Sequence, residues 1–187
     1  MKNNIHNYLK YKIFVSGAAE TSKCPENSLF KGKEIGREVA RRKIVLMNGA
    51  TTGFPLWAAI GAKEENGFVV GISPASNIKE HIELYNLPTD YNDIIIYTGL
   101  GYSGRNFLLT RSADAIIIGC GRIGTLNEFT DGFEDKKPIG VLKNAGGTTD
   151  LIEEIIKKSN RAGETNVIYE DDPKILVEKL IEIIKKQ

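Results

Sequence analysis

The residues best suited to chemistry lie in one short stretch. Gly119-Cys120-Gly121-Arg122-Ile123-Gly124-Thr125 follows the apolar run Ile116-Ile117-Ile118 and precedes a segment with helical character. Glycines let a backbone turn sharply at the end of a strand and let a ligand come close to it. The N–H groups at the start of the following helix have no partner in the helix, and the helix dipole favours an anion there. Gly121, Arg122, Ile123, Gly124 and Thr125 are therefore candidate phosphate ligands, with the Thr125 hydroxyl an additional donor. Glu128 lies one turn further on and should bring a carboxylate to the rim of the same site; its simpler role is a favourable charge in the first turn of a helix, worth under ~1 kcal/mol. Arg105, behind Gly101-Tyr102-Ser103-Gly104, reads as the start of the preceding helix. A guanidinium there can grip a phosphate or carboxylate through two parallel hydrogen bonds, and its simpler role is a solvated helix residue.

Two familiar phosphate motifs do not apply. Gly119, Gly121 and Gly124 have the spacing G-x-G-x-x-G, but the dinucleotide fingerprint belongs after a first strand, with an acid at the end of the next one. Here the loop follows the fifth apolar run, and the next run ends Leu142-Lys143-Asn144. A Walker A loop needs lysine where Thr125 stands. Neither NAD nor any other cofactor is expected.

These residues must be held by a frame. Short apolar runs at 12–15, 44–47, 68–72, 94–97, 115–118, 139–142 and 166–169 alternate with helix-length segments at 30–42, 54–65, 105–112, 125–133, 150–159 and 173–186. Several runs are rich in Ile and Val without alternation, as expected of strands buried on both faces of a parallel sheet. The last helix starts with Asp172 as cap and Pro173 in its first turn. The pattern predicts an α/β three-layer sandwich: a doubly wound, mainly parallel, Rossmann-like sheet of about seven strands, formed by residues 1–187 as one nucleotide-binding domain. Residues 85–92 read as a surface loop. Strands four and five are expected to be neighbours, so that Arg105 and Glu128 face one pocket.

In open sheets of this kind ligands sit beyond the carboxyl ends of the strands. Four of those ends carry glycine, and they supply a candidate ligand rim of Ser16, Gly17, Asn48, Gly49, Thr52 and Gly99. Phe54 and Trp57 read as helix-packing residues.

Bulk properties narrow the class. The chain has 187 residues and a formal net charge of +1, with basic residues scattered among acids. No electrostatic footprint for nucleic acid results. No apolar run approaches a membrane span, and residues 1–12 lack the apolar run of a signal peptide. The two histidines, His6 and His81, have no metal-ligand partners at suitable spacing, so no metal is expected, and His81 reads as a surface residue. The two cysteines, Cys24 and Cys120, are far apart in sequence, so a disulfide is not expected and a reducing cytoplasm fits. Cys120, with no histidine to act as its base, reads as a buried filler.

The motif set resembles the Lonely Guy, or "lysine decarboxylase-like", family of Rossmann-like nucleotide-binding proteins, most clearly over residues 12–142. That family's P-G-G-x-G-T-x-x-E is matched by Gly119-Cys120-Gly121-Arg122-Ile123-Gly124-Thr125-Leu126-Asn127-Glu128, which keeps the second Gly, the Gly-Thr pair and the Glu. Arg105 stands at the family's distance before Glu128. The family's second-strand loop, G-G-G-x-x-G, looks like Asn48-Gly49-Ala50-Thr51-Thr52-Gly53. The resemblance implies a nucleoside 5′-monophosphate phosphoribohydrolase, with Arg105 and Glu128 catalytic, acting as a homodimer or higher homo-oligomer with the site near the interface. Pyridoxal phosphate chemistry has no support in these residues. Gly119 and Cys120 replace the motif's Pro and first Gly, and Asn48 and Ala50 replace two glycines of the second loop. These departures resemble a divergent branch that includes molybdenum-cofactor carrier-like proteins. The alternative they imply is a non-catalytic carrier or sensor for a nucleotide or molybdopterin-like phosphate ligand.

Overall fold

The computed structural model describes residues 9–162 and 166–186; His6 and the rest of the amino-terminal segment 1–8 lie outside the described residues. Seven strands form one parallel sheet: β1 (Lys12–Ser16), β2 (Val45–Asn48), β3 (Val69–Ser73), β4 (Ile94–Tyr97), β5 (Ala115–Ile118), β6 (Ile139–Leu142) and β7 (Val167–Glu170). Six helices connect or follow them: α1 (Ser28–Arg41), α2 (Phe54–Glu64), α3 (Gly101–Ser112), α4 (Ile123–Glu134), α5 (Ile152–Lys158) and α6 (Pro173–Ile184). The α/β doubly wound architecture is the one the apolar runs predict. Asp172 caps α6 as expected, its carboxylate accepting from the Ile175 N–H at 3.0 Å.

The strand order is β4-β3-β2-β1-β5-β6-β7. The chain builds outward from β1 to β4, then returns to the other side of β1 to start β5. In an open parallel sheet the crevice at such a reversal is where a ligand is bound. Here it lies between β1 and β5, which pair from Ile13 with Ala115 to Ser16 with Ile118. The expected adjacency of strands four and five is therefore corrected. β4 is an edge strand, with three strands between it and β5. Consecutive strands are neighbours in most folds, and a doubly wound sheet breaks that rule once, at its switch.

Alternate residues of the central strands feed two cores. Ile13, Val15, Ala115 and Ile117 pack with α1, α2 and α6 on one face, through Ile35, Val39, Phe54, Leu176 and Leu180. Phe14, Ile116 and Ile118 pack with α3, α4 and α5 on the other, through Leu109, Phe129 and Ile156. Burial on both sides explains the unbroken apolar runs. The edge strands are the exceptions: β7 is only half-buried, and on β4 the side chains of Ile94 and Ile96 are exposed.

Phe54 shows how tightly the layers meet under the candidate site. It is fully buried, and a Cβ added at Gly17 or Gly119 would overlap its ring. Gly17 of the expected ligand rim and Gly119 of the loop before α4 thus make room for an aromatic side chain from α2. Phe54→Ala should destabilise the fold by about 3–5 kcal/mol, the usual cost of emptying a buried aromatic site; a denaturant titration measures it.

Two further expectations are corrected. His81 is fully buried rather than on the surface. A π-helical turn, Glu80–Leu84, folds it back onto the end of β3. There Nδ1 lies 2.8 Å from the Ser73 hydroxyl and Nε2 lies 2.9 Å from the Pro88 carbonyl, so both ring nitrogens are satisfied. Cys24 and Cys120 form a disulfide across 96 residues of sequence, with a Cα–Cα distance of 5.8 Å. The pairing of β1 with β5 brings the loop after each strand to the same end of the sheet, so their distance in sequence does not matter. Cys120 is buried, but as half of a crosslink.

Candidate functional site

A cavity of about 460 Å³ opens at the β1/β5 switch point. Four segments wall it. From β1 and the following loop come Ser16, Gly17, Ala18, Ala19 and Glu20. From α3 come Tyr102, Ser103, Arg105 and Asn106. The start of α4 supplies Arg122, Ile123, Gly124, Thr125, Asn127 and Glu128, and Gly49 and Thr51 complete the wall from the loop after β2.

Glu128 and Arg105 meet here although β4 and β5 are apart. The connection is α3, which packs against α4. It begins at Gly101, so Arg105 sits in its second turn rather than at its start. Tyr102, Arg105 and Asn106 stand at i, i+3 and i+4 and share one helical face. Arg105 Nη1 is 3.7 Å from Glu128 Oε1, and both side chains are 7% exposed. The guanidinium carbon lies 5.8 Å from the centre of the Tyr102 ring. Arg105 Nε has no acceptor among the described residues, so this buried donor is unspent.

The Glu128 carboxylate collects further donors. The Ser16 hydroxyl donates to Oε2. With its amide turned to face acceptors, Asn106 donates to Glu128 Oε1 at 2.9 Å and to the Tyr102 carbonyl at 3.0 Å. Burial dominates all the same and pushes Glu128 up to about 7, against the lowering influence of Arg105 and Ser16; the nearby Asp131 adds to the rise. Burial likewise lowers Arg105 from its ordinary value, with Glu128 opposing. A carboxylic acid poised near neutrality beside a buried cation is a common arrangement at catalytic sites.

The start of α4 turns unpartnered backbone donors toward the cavity mouth. Arg122 occupies the cap position in an extended conformation and its side chain makes no capping bond. The first intrahelical bond runs from the Leu126 N–H to the Arg122 carbonyl, so the N–H groups of Ile123, Gly124 and Thr125 precede the ladder. A Cβ built on Gly124 meets nothing within 4 Å, so the approach is open. The Arg122 side chain lies at the mouth, 3.2 Å from the Glu20 carboxylate and largely exposed.

Not every expected site residue lines the cavity. Gly121 is tied to the loop after β6: its N–H donates to the Gly146 carbonyl at 3.2 Å and its own carbonyl accepts from the Thr148 N–H at 2.9 Å. Asn48 folds its own loop, accepting from the Ala50 N–H at 2.6 Å and donating to Asn92 at 3.0 Å. The Thr52 hydroxyl donates to the Ala19 carbonyl at 3.1 Å. Gly99 follows the edge strand, away from the switch point. Ser16, Gly17, Gly49, Arg105, Arg122, Ile123, Gly124, Thr125 and Glu128 are the ones brought together.

Sequence reasoning missed Asn106 and Tyr102, although their helical spacing around Arg105 was a usable signal. It also missed Thr148 and Thr149, whose hydroxyls donate to the carbonyls of Arg122 and Gly119 and so fix the loop before α4. No local signal marks those two.

Gly49 has a definite task. A Cβ there would fall within the contact radius of Arg105 Nη1. Gly49→Ala should displace the end of a long side chain rather than backbone. We expect ligand affinity and any turnover to drop about tenfold, with a fall in thermal midpoint smaller than that of Arg105→Ala because the guanidinium shifts but stays in place; paired binding and melting measurements check this.

Among the described residues no group of three or more His, Cys, Asp or Glu side chains is placed to hold a metal ion. No helix there is long and apolar enough to cross a membrane.

The sequence model of the SLOG cluster4 family matches residues 10–177. The chain belongs to this Lonely Guy-like family. An uncharacterised protein of Archaeoglobus fulgidus is 30% identical over 132 residues, 71% of this chain and 82% of that relative. Among solved structures, the molybdenum cofactor binding protein of Rippkaea orientalis is 30% identical with a TM-score of 0.74, over 96% of this chain and 98% of that one. A Moco carrier protein from Chlamydomonas reinhardtii is 26% identical with a TM-score of 0.77, over 96% and 100%. These likenesses are consistent with a divergent branch near the molybdenum cofactor carriers, as the altered loop at Gly119 and Cys120 implied.

Proposed function

We propose that this SLOG protein hydrolyses the N-glycosidic bond of a nucleoside 5′-monophosphate, and that residues 1–187 act as one nucleotide-binding domain. The observation that carries the reading is the buried Glu128, raised to about 7 and faced by Arg105, beside the uncapped start of α4. The cavity volume of about 460 Å³ falls within the range of about 300–1,000 Å³ usual for small-molecule sites.

The 5′-phosphate binds the N–H groups of Ile123, Gly124 and Thr125, with Arg122 at the mouth. Glu128 lies four residues beyond Gly124, about 6 Å along the helix axis, which brings its carboxylate toward the ribose. The ionised carboxylate takes a proton from a water whose oxygen bonds to C1′. The C1′–N bond breaks, its electron pair leaves with the base, and the proton passes from Glu128 to that base. Arg105 stabilises the ionised Glu128 and orients the ribose, while phosphate binding remote from the reacting bond positions C1′. The products are free base and ribose 5-phosphate. Exposed Ile94 and Ile96 on the edge strand, with Tyr102 and Phe107 on α3, support assembly as a homo-oligomer.

A second reading, a carrier that binds without cleaving, is favoured by the near full-length likeness to the two molybdenum cofactor proteins. Incubation with a panel of nucleoside monophosphates, with base and ribose 5-phosphate quantified by chromatography, separates the two. Release of both products supports hydrolysis. Tight retention of a small molecule without product supports the carrier.

A further inference from the structure

The disulfide joins two of the loops that wall the cavity. Cys120 lies in the loop before α4, and Cys24 lies in the segment between β1 and α1 that contributes Ala18, Ala19 and Glu20 to the wall. The first part of that segment is fixed by backbone and side-chain bonds. Ala18 donates to the Cys120 carbonyl at 2.7 Å, Phe54 donates to the Ala18 carbonyl at 3.0 Å, and Thr52 holds the Ala19 carbonyl. Its far end is fixed at Ser28, whose hydroxyl donates to the Ala145 carbonyl at 3.2 Å. Between them the chain closes mainly on itself: Ser22 N–H to the Glu20 carboxylate at 2.6 Å, and Cys24 N–H to the Thr21 carbonyl at 2.9 Å. The longer-range ties of residues 20–27 include the exposed Glu20–Arg122 ion pair, the packing of Lys23 and Pro25 against Gly146 and of Cys24 against the core, and the disulfide. An exposed ion pair holds little. The disulfide is the strong anchor.

We infer that Cys24–Cys120 is a thiol–disulfide exchange site whose redox state sets the order of the cavity wall. The two sulfurs differ in access: Cys24 is half-buried and Cys120 is buried. A small dithiol reductant therefore attacks Cys24 Sγ. The sulfur–sulfur bond breaks with its electron pair on Cys120, which takes up a proton, and Cys24 is left in a mixed disulfide with the reductant. The reductant's second thiol then displaces Cys24. The sum is two protein thiols and one oxidised dithiol, a two-electron exchange. Reduction leaves residues 18 and 19 in place and releases residues 20–27, including Glu20 opposite Arg122. The effect on ligand binding rests on the proposed function; the release of the loop does not.

The test compares oxidised, dithiothreitol-reduced and re-oxidised protein by backbone hydrogen exchange and by equilibrium binding of adenosine 5′-monophosphate. Reduction should raise exchange at residues 20–27 at least tenfold, leave α2 and β5 unchanged, weaken binding severalfold, and reverse on re-oxidation. Cys24→Ser should behave as the reduced protein does without reductant. Exchange at 20–27 that is the same in both redox states would overturn the inference whether or not the nucleotide binds. Exchange that rises while a measurable affinity stays constant would overturn the link to the site. If the nucleotide binds to neither form, the proposed function fails on that ligand, and the exchange measurement decides the loop claim by itself.

Discussion

Glu128→Gln should reduce the rate of base release from a nucleoside monophosphate by about 10²–10⁴, the usual contribution of a positioned general base. Affinity for the same nucleotide should stay within a few fold. Gln has the shape of Glu and its single amide oxygen can accept from Ser16, while its NH2 can face the Asn106 amide oxygen, but it takes no proton from water. The substitution also removes an expensive feature. Glu128 is held in a buried place that pushes its carboxyl from an ordinary 4.5 up to about 7. Between those values the folded protein keeps a proton that the unfolded chain has lost. Stability from this group therefore falls as pH rises from about 4.5 through about 7, then levels off. The variant should lose that slope. Kinetics together with denaturation at several pH values separates a chemical role for Glu128 from a structural one, because only the chemical role ties the lost rate to unchanged binding.

Arg105→Ala should be the more damaging change to the protein as a whole. Removing one partner of a buried ion pair typically costs about 3–5 kcal/mol, because the other charge is left without compensation. Here part of the cost is avoided: Glu128 is already near neutrality and can take up a proton once its cation is gone. We expect a stability loss at the lower end of that range at pH 8, and a smaller loss at pH 5. Binding should weaken as well, since the unspent Nε donor and the guanidinium face over Tyr102 both disappear. Arg105→Lys should restore much of the stability but little of the function, because an ammonium keeps the charge and loses the planar fork. Denaturation at both pH values, with nucleotide titrations of the folded variants, measures each part.

The frame of this site is written plainly in the chain. Strands buried on both faces have no polar alternation to disguise them, so 115–118 and 139–142 are found to the residue, as is the edge run 94–97, and the others to within about one residue at each end. The loop before α4 stands out because glycines, a helix start and Glu128 occur in one run. What local pattern cannot supply is the order of the strands. The switch at β1 depends on contacts a hundred residues apart, such as Ser16 with Ile118. The disulfide and the clamps from Thr148 and Thr149 follow from that order, whereas His81 is buried by the turn that brings it onto Ser73 and Pro88. Some glycines also carried a different message from the one their position suggested: Gly17 and Gly119 clear space for Phe54, and Gly49 clears space for Arg105. A glycine reports that something comes close, and only the fold says whether that is a ligand or a neighbouring side chain.

The most direct test of the central claim is the pH dependence of base release. Chromatography of the products from a nucleoside monophosphate, between pH 5.5 and 8.5, reads it. The account predicts release that rises with pH along a limb with its midpoint near 7, as Glu128 ionises, and no such limb in Glu128→Gln. Release that is flat across that range, or no release at any pH from a protein that binds the nucleotide, would contradict it.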